Sequence, residues 1–401
     1  MKIALFHNLP SGGAKRVVFE HARLLSRQHR VDVYTLETAN CDFCDESAFA
    51  GVFTTPFKPL PLFRSPLGRI NQISRSLDIL RLRAAMRSVA QRIDRQRYDV
   101  VLVYPCQFTV SPAILRFLKT PSVYYRHDVN RRLHDPIVPR PYPDRNRFQQ
   151  LLDNIDPFPG LYNWLLDRED RRNSTFGDEY LANSCFARES IYRLYGRAPS
   201  VCYLGVDTDL FHPLNIGRKH QVISVGEILP KKGYDFVIRS LASIPASLRP
   251  PLVIVGNASI PQEKAYLEAL ARESGVEVQF HLQISDQEVV RLYNESLLTV
   301  YAPVLESFGM VPLESMACGT PVVGVAEGGV REQVIHQVNG LLIGRDEGQF
   351  GQAVLTLLED PGLARSMGER GREYVTEQWN WDRAGSLLVH YLEMAIARSL
   401  T

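Results

Sequence analysis

The feature that most constrains this chain is a rhythm of short, mostly apolar runs separated by stretches with helical periodicity. The rhythm occurs twice. Ile3–Phe6, Val31–Leu36, Val100–Tyr104 and Val123–Tyr125 are too short for helices and rich in β-branched and aromatic residues. They read as parallel strands buried on both faces. Residues 14–29 and 69–97 between them repeat at helical spacing. The pattern restarts at Gln221–Gly226, Leu252–Gly256, Val278–Leu282, Leu298–Tyr301 and Pro321–Val325. Helices are expected near 233–243, 261–274, 285–295, 311–318 and 330–336. Two consecutive βαβ series predict an α/β protein with two doubly wound parallel sheets, joined by right-handed crossovers.

The break between the series falls near 205–220, where Gly205, Pro213 and Gly217 interrupt the pattern. We expect one domain over 1–205 and a second over 206–380. A last helix, about 381–401, follows Trp379-Asn380-Trp381 and packs back on the first domain. Two such domains predict a ligand cleft between the carboxyl ends of their sheets. Residues 128–178, rich in Arg, Asp and Pro with weak periodicity, read as an elaborated loop region over that cleft.

The chain has 401 residues, 45% hydrophobic and 22% charged, which excludes disorder and collagen-like repetition. No run approaches the roughly 18–20 apolar residues of a membrane span. The first residues read as a strand, so the expected compartment is the cytoplasm. Six cysteines make no disulfide framework, and Cys41 and Cys44 read as a pair of loop cysteines. The net charge of +2 conceals a split: residues 1–200 carry +10 and residues 201–401 carry −8. Such asymmetry points to an anionic partner for the first half. Nine arginines lie between Arg64 and Arg97, opposed by Asp78 and Asp94 alone. They read either as a helix lying on anionic lipid or as a solvated helix of an arginine-rich chain. No module for nucleic acid accompanies them.

The strongest local signal is Glu306-Ser-Phe-Gly-Met-Val-Pro-Leu-Glu314-Ser-Met-Ala-Cys-Gly319-Thr-Pro321. It predicts a strand end, a tight turn at Gly309, and a helix with Pro312 in its first turn and Gly319 at its end. The amides of Gly309, Met310 and Val311 are then expected to meet an anion. Glu306 and Glu314 flank that position, and carboxylates accept hydrogen bonds from sugar and ribose hydroxyls.

This string resembles the E-x7-E segment of retaining glycosyltransferases of family 4, which have the GT-B fold of two Rossmann-like domains. The resemblance runs over nearly the whole chain. Ser11-Gly12-Gly13 is similar to the family's glycine loop after the first strand. Lys232, in Gly226-Glu227-Ile228-Leu229-Pro230-Lys231-Lys232-Gly233, matches a lysine that binds the donor diphosphate. Glu227 stands where the family has arginine, and Leu282 where it usually has glycine. His127 matches a histidine beside the donor sugar, and His127, Arg131 and Asp135 resemble a subset that uses GDP-mannose. Gly328-Gly329-Val330-Arg331-Glu332 resembles another glycine loop. Asp207-Thr-Asp209 has the form of a metal-binding DxD, but its flanks favour a structural turn.

The resemblance implies a retaining transfer of a hexose from a nucleotide diphosphate sugar to an acceptor hydroxyl, without metal or cofactor. It assigns His127, Lys232 and Glu306 to catalysis. Gly12, Gly13, Phe308, Gly309, Met310, Val311 and Glu314 are assigned to the donor, and Arg126 and Arg131 to the acceptor or donor sugar. The acceptor is left as a glycan, a lipid-linked sugar or a small molecule. The alternative, prompted by Glu227, is a protein of the same fold that binds a nucleotide sugar as a regulatory or partner subunit.

Overall fold

A computed structural model describes residues 1–10, 12–39, 49–63, 71–142 and 157–399. Ser11, Cys41, Cys44, Arg64 and Arg69 lie outside the described residues. The chain divides into two units. Unit 1 is Met1–Pro136, Asp144–Tyr203 and Ala384–Thr401, and unit 2 is Ile137–Pro143 and Leu204–Arg383.

Unit 1 holds β1 (Lys2–Asn8), β2 (Arg30–Leu36), β3 (Gly51–Thr55), β4 (Val100–Cys106), β5 (Ser122–Arg126), β6 (Glu179–Ala182) and β7 (Ser200–Val201). They form one sheet in the order β3-β2-β1-β4-β5-β6-β7, with every pair parallel. Its helices are α1 (Gly13–Ser26), α2 (Asn71–Arg95), α3 (Arg131–His134), α4 (Pro157–Asn173) and α5 (Cys185–Tyr195). Unit 2 holds β8 (Lys219–Val225), β9 (Leu252–Gly256), β10 (Val278–Leu282), β11 (Ser296–Tyr301), β12 (Val322–Val325) and β13 (Gly340–Ile343), ordered β10-β9-β8-β11-β12-β13 and again all parallel. Its helices are α6 (Tyr234–Ala242), α7 (Pro261–Ser274), α8 (Asp286–Glu295), α9 (Val311–Ala317), α10 (Val330–Gln333), α11 (Glu347–Glu359) and α12 (Pro361–Gln378). The last helix, α13 (Trp381–Ser399), crosses the unit boundary, so its residues from Ala384 onward belong to unit 1.

The central strands form where the sequence predicts, because helices cover both faces of each sheet. Ile3 to Phe6 of β1 and Val100 to Tyr104 of β4 are all fully buried. Pro321 was expected inside a strand; the ladder starts at Val322, since proline has no N–H to donate, and the Pro321 carbonyl accepts from Thr299. The edge strand β3 escaped the sequence reading because Gly51-Val-Phe-Thr-Thr is only partly buried. The helix expected over 330–336 stops at Gln333, where Asn339 Oδ1 takes the Ile335 N–H at 2.7 Å and turns the chain. At the domain junction Asp207 Oδ1 accepts the amides of Asp209 and Leu210, both at 3.0 Å, so Asp207 closes a turn.

Residues 128–178 are not solely loop. They contain α3 and the 17-residue α4. The inward residues of α4 are Tyr162, Leu166, Glu169, Asp170 and Asn173. That mixture of apolar and charged side chains has no hydrophobic period to read, and its partners lie far away in sequence.

Candidate functional site

The carboxyl ends of β8 and β11 carry the central pair of unit 2. After β8 the chain makes a single 3₁₀ turn, Pro230–Lys232, before α6 begins at Tyr234. Lys232 Nζ donates to Glu306 Oε2 at 2.7 Å, with the two side chains 24% and 19% exposed. The pair is thus held in place yet open to a ligand. Val304 N donates to the Lys231 carbonyl at 2.8 Å and ties the two loops together.

Glu306 is fixed by its own backbone. Gly329 N donates to the Glu306 carbonyl at 2.8 Å. Gly328 has φ +66°, and a Cβ there would lie 2.2 Å from the same carbonyl oxygen. Only glycine allows that approach at that φ. The glycine loop therefore acts by contact with Glu306. The neighbouring Leu305 sits at φ +48°, a strained conformation for a branched side chain and a kind that clusters at functional positions.

Gly309 has φ +83° and makes the expected turn, with an added Cβ excluded by the Tyr301 hydroxyl at 2.2 Å. Helix α9 follows with Pro312 in its first turn. Gly309, Met310, Val311 and Glu314 are all part-exposed. Tyr293 donates its hydroxyl to Glu314 Oε2 at 3.1 Å. Burial first, and then the Glu314 carboxylate, push the Tyr293 phenol far above its usual range, so it remains a neutral donor. The Phe308 side chain is buried against Trp379, with ring centroids 5.7 Å apart, so its ring packs the core. Glu227 is exposed on the turn after β8. Gln283, beside Leu282, takes φ +55° and donates its amide to the Gly256 carbonyl at 3.0 Å, so a non-glycine residue makes the turn after β10.

In unit 1, Gly12 precedes α1 and its carbonyl accepts the amides of Lys15 and Arg16. A Cβ built on Gly12 or Gly13 meets no atom within 4 Å. His127 follows β5 and stacks on Tyr104 at 5.9 Å between centroids. Its Nε2 is buried with no hydrogen-bond partner among the described residues. Burial pulls the imidazole down to about 4, so it is neutral at physiological pH. His21 lies behind it, within hydrogen-bond reach of the Tyr104 hydroxyl, and is lowered to about 3 by burial and then by His127.

Arg126 corrects an assignment. It was expected to touch acceptor or donor sugar, but its side chain is 0% exposed. Its guanidinium donates to Asp170 Oδ2 at 3.0 Å, Ser111 Oγ at 2.7 Å, the Tyr195 hydroxyl at 2.6 Å and the Asp128 carbonyl at 2.7 Å. Every direction a ligand would approach from is occupied by protein. Arg131 is part-exposed, with Nε on Asp135 Oδ2 at 2.7 Å. The R-x3-D part of that spacing therefore carries an i,i+4 ion pair between the first residue of α3 and the residue that follows the helix.

The arginines of α2 are not one basic face. Arg83 pairs with Glu169, Arg81 with Asp78, Arg87 lies over Phe117 and Arg92 over Phe53. The side of α2 away from its buried Ile79, Leu82 and Met86 exposes Ile73, Leu77 and Leu80. Among the described residues no helix is long and apolar enough to cross a membrane.

The sequence reading missed Tyr293, and it missed Arg345, whose guanidinium bonds Glu327 and the carbonyls of Ala302 and Pro303 below the Glu306 loop. Neither residue belongs to a local motif.

Comparison with known proteins covers both units. The family description "Glycosyltransferase Family 4" matches residues 11–210, and "Glycosyl transferases group 1" matches residues 207–374. A GDP-mannose-dependent alpha-(1-6)-phosphatidylinositol monomannoside mannosyltransferase of Mycobacterium tuberculosis (strain CDC 1551 / Oshkosh) is 32% identical over 235 residues, covering 52% of this chain and 60% of the relative. The matches to the curated relatives span between 45% and 62% of those relatives' length. Sucrose-phosphate synthase from Thermosynechococcus elongatus has a similar structure, with a TM-score of 0.74, 19% identity and 99% of each chain covered. Anabaena HepE, solved in complex with UDP and glucose, gives a TM-score of 0.72 at 20% identity, covering 98% of this chain and 99% of that one. Those two structures bear on the fold alone. With two parallel sheets of Rossmann order, adjoining family matches over residues 11–374 and the Glu306–Pro321 segment in place, the chain belongs to glycosyltransferase family 4, of the GT-B fold.

Proposed function

We propose that this protein is a retaining, metal-independent glycosyltransferase. It moves a hexose from a nucleotide diphosphate sugar, GDP-mannose or a UDP-hexose, to an acceptor hydroxyl of a glycan, glycolipid or small molecule. The observation that carries the reading is the Lys232–Glu306 pair, with Glu314 and its buried Tyr293 donor in the same unit. The GDP-mannose in the name of the mycobacterial relative supports a nucleotide sugar as donor.

In this mechanism the leaving diphosphate gains negative charge as the C1–O bond breaks, and Lys232 stabilises it. A preorganised cation of this kind supplies what a metal supplies elsewhere. Glu306 orients Lys232 and accepts hydrogen bonds from donor-sugar hydroxyls; it is not assigned as a nucleophile. Glu314 accepts from the ribose hydroxyls, and Tyr293 fixes the carboxylate that does so. The acceptor oxygen forms the new bond to C1 from the face the phosphate leaves, and the departing phosphate takes its proton. We assign the neutral His127, with its unoccupied Nε2, to a sugar hydroxyl, and the Gly12–Gly13 turn to the sugar phosphate.

The alternative of a regulatory subunit rests on Glu227. That side chain is exposed, while Lys232 keeps its fixed partner, which favours the enzyme. Thermal-shift titration with UDP-, GDP- and ADP-sugars, with and without chelator, tests donor and metal together, because binding adds stability by mass action. Release of free nucleotide only with acceptor present separates the enzyme from a binding subunit. NMR of the product reads the anomeric configuration. We further assign peripheral contact with anionic membrane at the cytoplasmic face to the Arg64–Arg97 region, through the exposed Ile73, Leu77 and Leu80 and their flanking arginines. Absence of binding to anionic vesicles removes that assignment.

A further inference from the structure

Residues Ile137–Pro143 group with unit 2, although the chain on both sides of them belongs to unit 1. The side chain that anchors this strap is Arg140, 7% exposed. Nε donates to Glu263 Oε2 at 2.9 Å, and Nη1 to Asp235 Oδ2 at 3.1 Å. Nη2 donates to Glu263 Oε1 at 2.9 Å, to Asp235 Oδ1 at 3.1 Å and to the Pro230 carbonyl at 3.0 Å. The Tyr142 hydroxyl also donates to Glu263, whose side chain is 0% exposed. Arg239 shares Asp235 with Arg140. Val138 of the strap lines a cavity of about 530 Å³ together with Pro230, Gly233 and Phe236.

Two of those acceptors bracket Lys232. Pro230 opens the 3₁₀ turn that ends at Lys232, and Asp235 lies in the first turn of α6. A bidentate guanidinium holds planar geometry that a single hydrogen bond does not. Glu263 is a buried carboxylate whose cation comes only from the strap among the described residues. A buried acid tolerates no loss of its partner. Unit 2 therefore carries a receptor for the strap, built of Glu263 and Asp235, and filling it fixes the turn that presents the lysine.

We propose that Arg140 is a positioning residue for Lys232: the strap clamps the Pro230–Lys232 turn and so sets the affinity of unit 2 for a diphosphate. The diphosphate half of this inference rests on the donor reading above; the clamp half does not. The test uses the full chain carrying Arg140→Met, and Arg140→Met with Glu263→Gln, which removes the uncompensated buried charge and preserves the fold. Hydrogen exchange of the amides of residues 229–237 is compared with that of β9. We expect exchange at 229–237 to rise about tenfold or more in both variants, with β9 unchanged. Affinity for GDP or UDP by calorimetry should fall roughly tenfold in the double variant while its melting temperature matches wild type. Unchanged exchange overturns the clamp, as does raised exchange with unaltered nucleotide affinity. If the wild-type chain binds neither GDP nor UDP, the donor reading fails, and the exchange result alone upholds or overturns the clamp.

Discussion

Units 1 and 2 share a strand order and differ in what they do with charge at the carboxyl ends of their strands. In unit 1 Arg126, at the end of β5, is wholly interior and paired with Asp170, and the next residue, His127, is neutral. In unit 2 the cation, Lys232, is held by Glu306 with both groups still accessible. The same topology thus produces a structural ion pair in one unit and a chemically available one in the other. Burial makes the difference. A dry pair has all its valences met by protein and nothing left for a ligand, whereas a half-wet pair can exchange its partner for a phosphate or a hydroxyl.

The comparison breaks most sharply on Arg126. Arg126→Met leaves Asp170 buried without its cation, and we expect a loss of about 3–5 kcal/mol in urea unfolding. Lys232→Met should change stability far less, by about 1 kcal/mol, because the pair it breaks is still reached by solvent. Equal losses would erase the distinction between the units. The next effect is on turnover. Lys232→Met and Glu306→Gln should each lower kcat about 100- to 1000-fold with melting temperatures retained. Unimpaired transfer by Glu306→Gln would remove that residue from the site.

Acid sharpens the contrast further. His7 and His21 are buried, and burial lowers both to about 3, with Lys15 and His127 respectively as the second cause. In the unfolded chain they titrate near 6.5. Between those values the unfolded state binds more protons, so stability falls as pH drops below 6.5. By pH 5 each histidine should cost about 2 kcal/mol. Melting temperatures across pH 7 to 5 measure this, and His21→Gln should flatten the slope. The smallest effect is on binding: Glu314→Gln weakens a charged acceptor and should reduce nucleotide affinity about three- to tenfold, read by calorimetry.

The central strands were legible because strands buried on both faces need continuous apolar runs, as in Val100 to Tyr104. The Glu306–Pro321 segment was legible because a strand end, a glycine turn and a proline-started helix are local events. What escaped the reading is long-range. Helix α4 hid because its inner face carries Glu169 and Asp170, whose cations Arg83 and Arg126 stand 86 and 44 residues away. Arg126 looked like a sugar contact by its place beside His127, and burial reversed that. Phe308 sits in the motif, yet its ring belongs to the core beside Trp379.

By itself, then, the sequence determined the two α/β halves and the turn at Gly309 that opens the next helix, because these follow from hydrophobic period and from glycine and proline placement; Lys232, Glu306, Glu314 and His127 it singled out by motif alone. The tertiary structure alone decided which charges are interior and which accessible, that Gly328–Gly329 buttress Glu306, and that Arg140 reaches Glu263 across 123 positions. Such pairings depend on which side chains meet when the chain closes on itself, and no neighbouring residue carries that information.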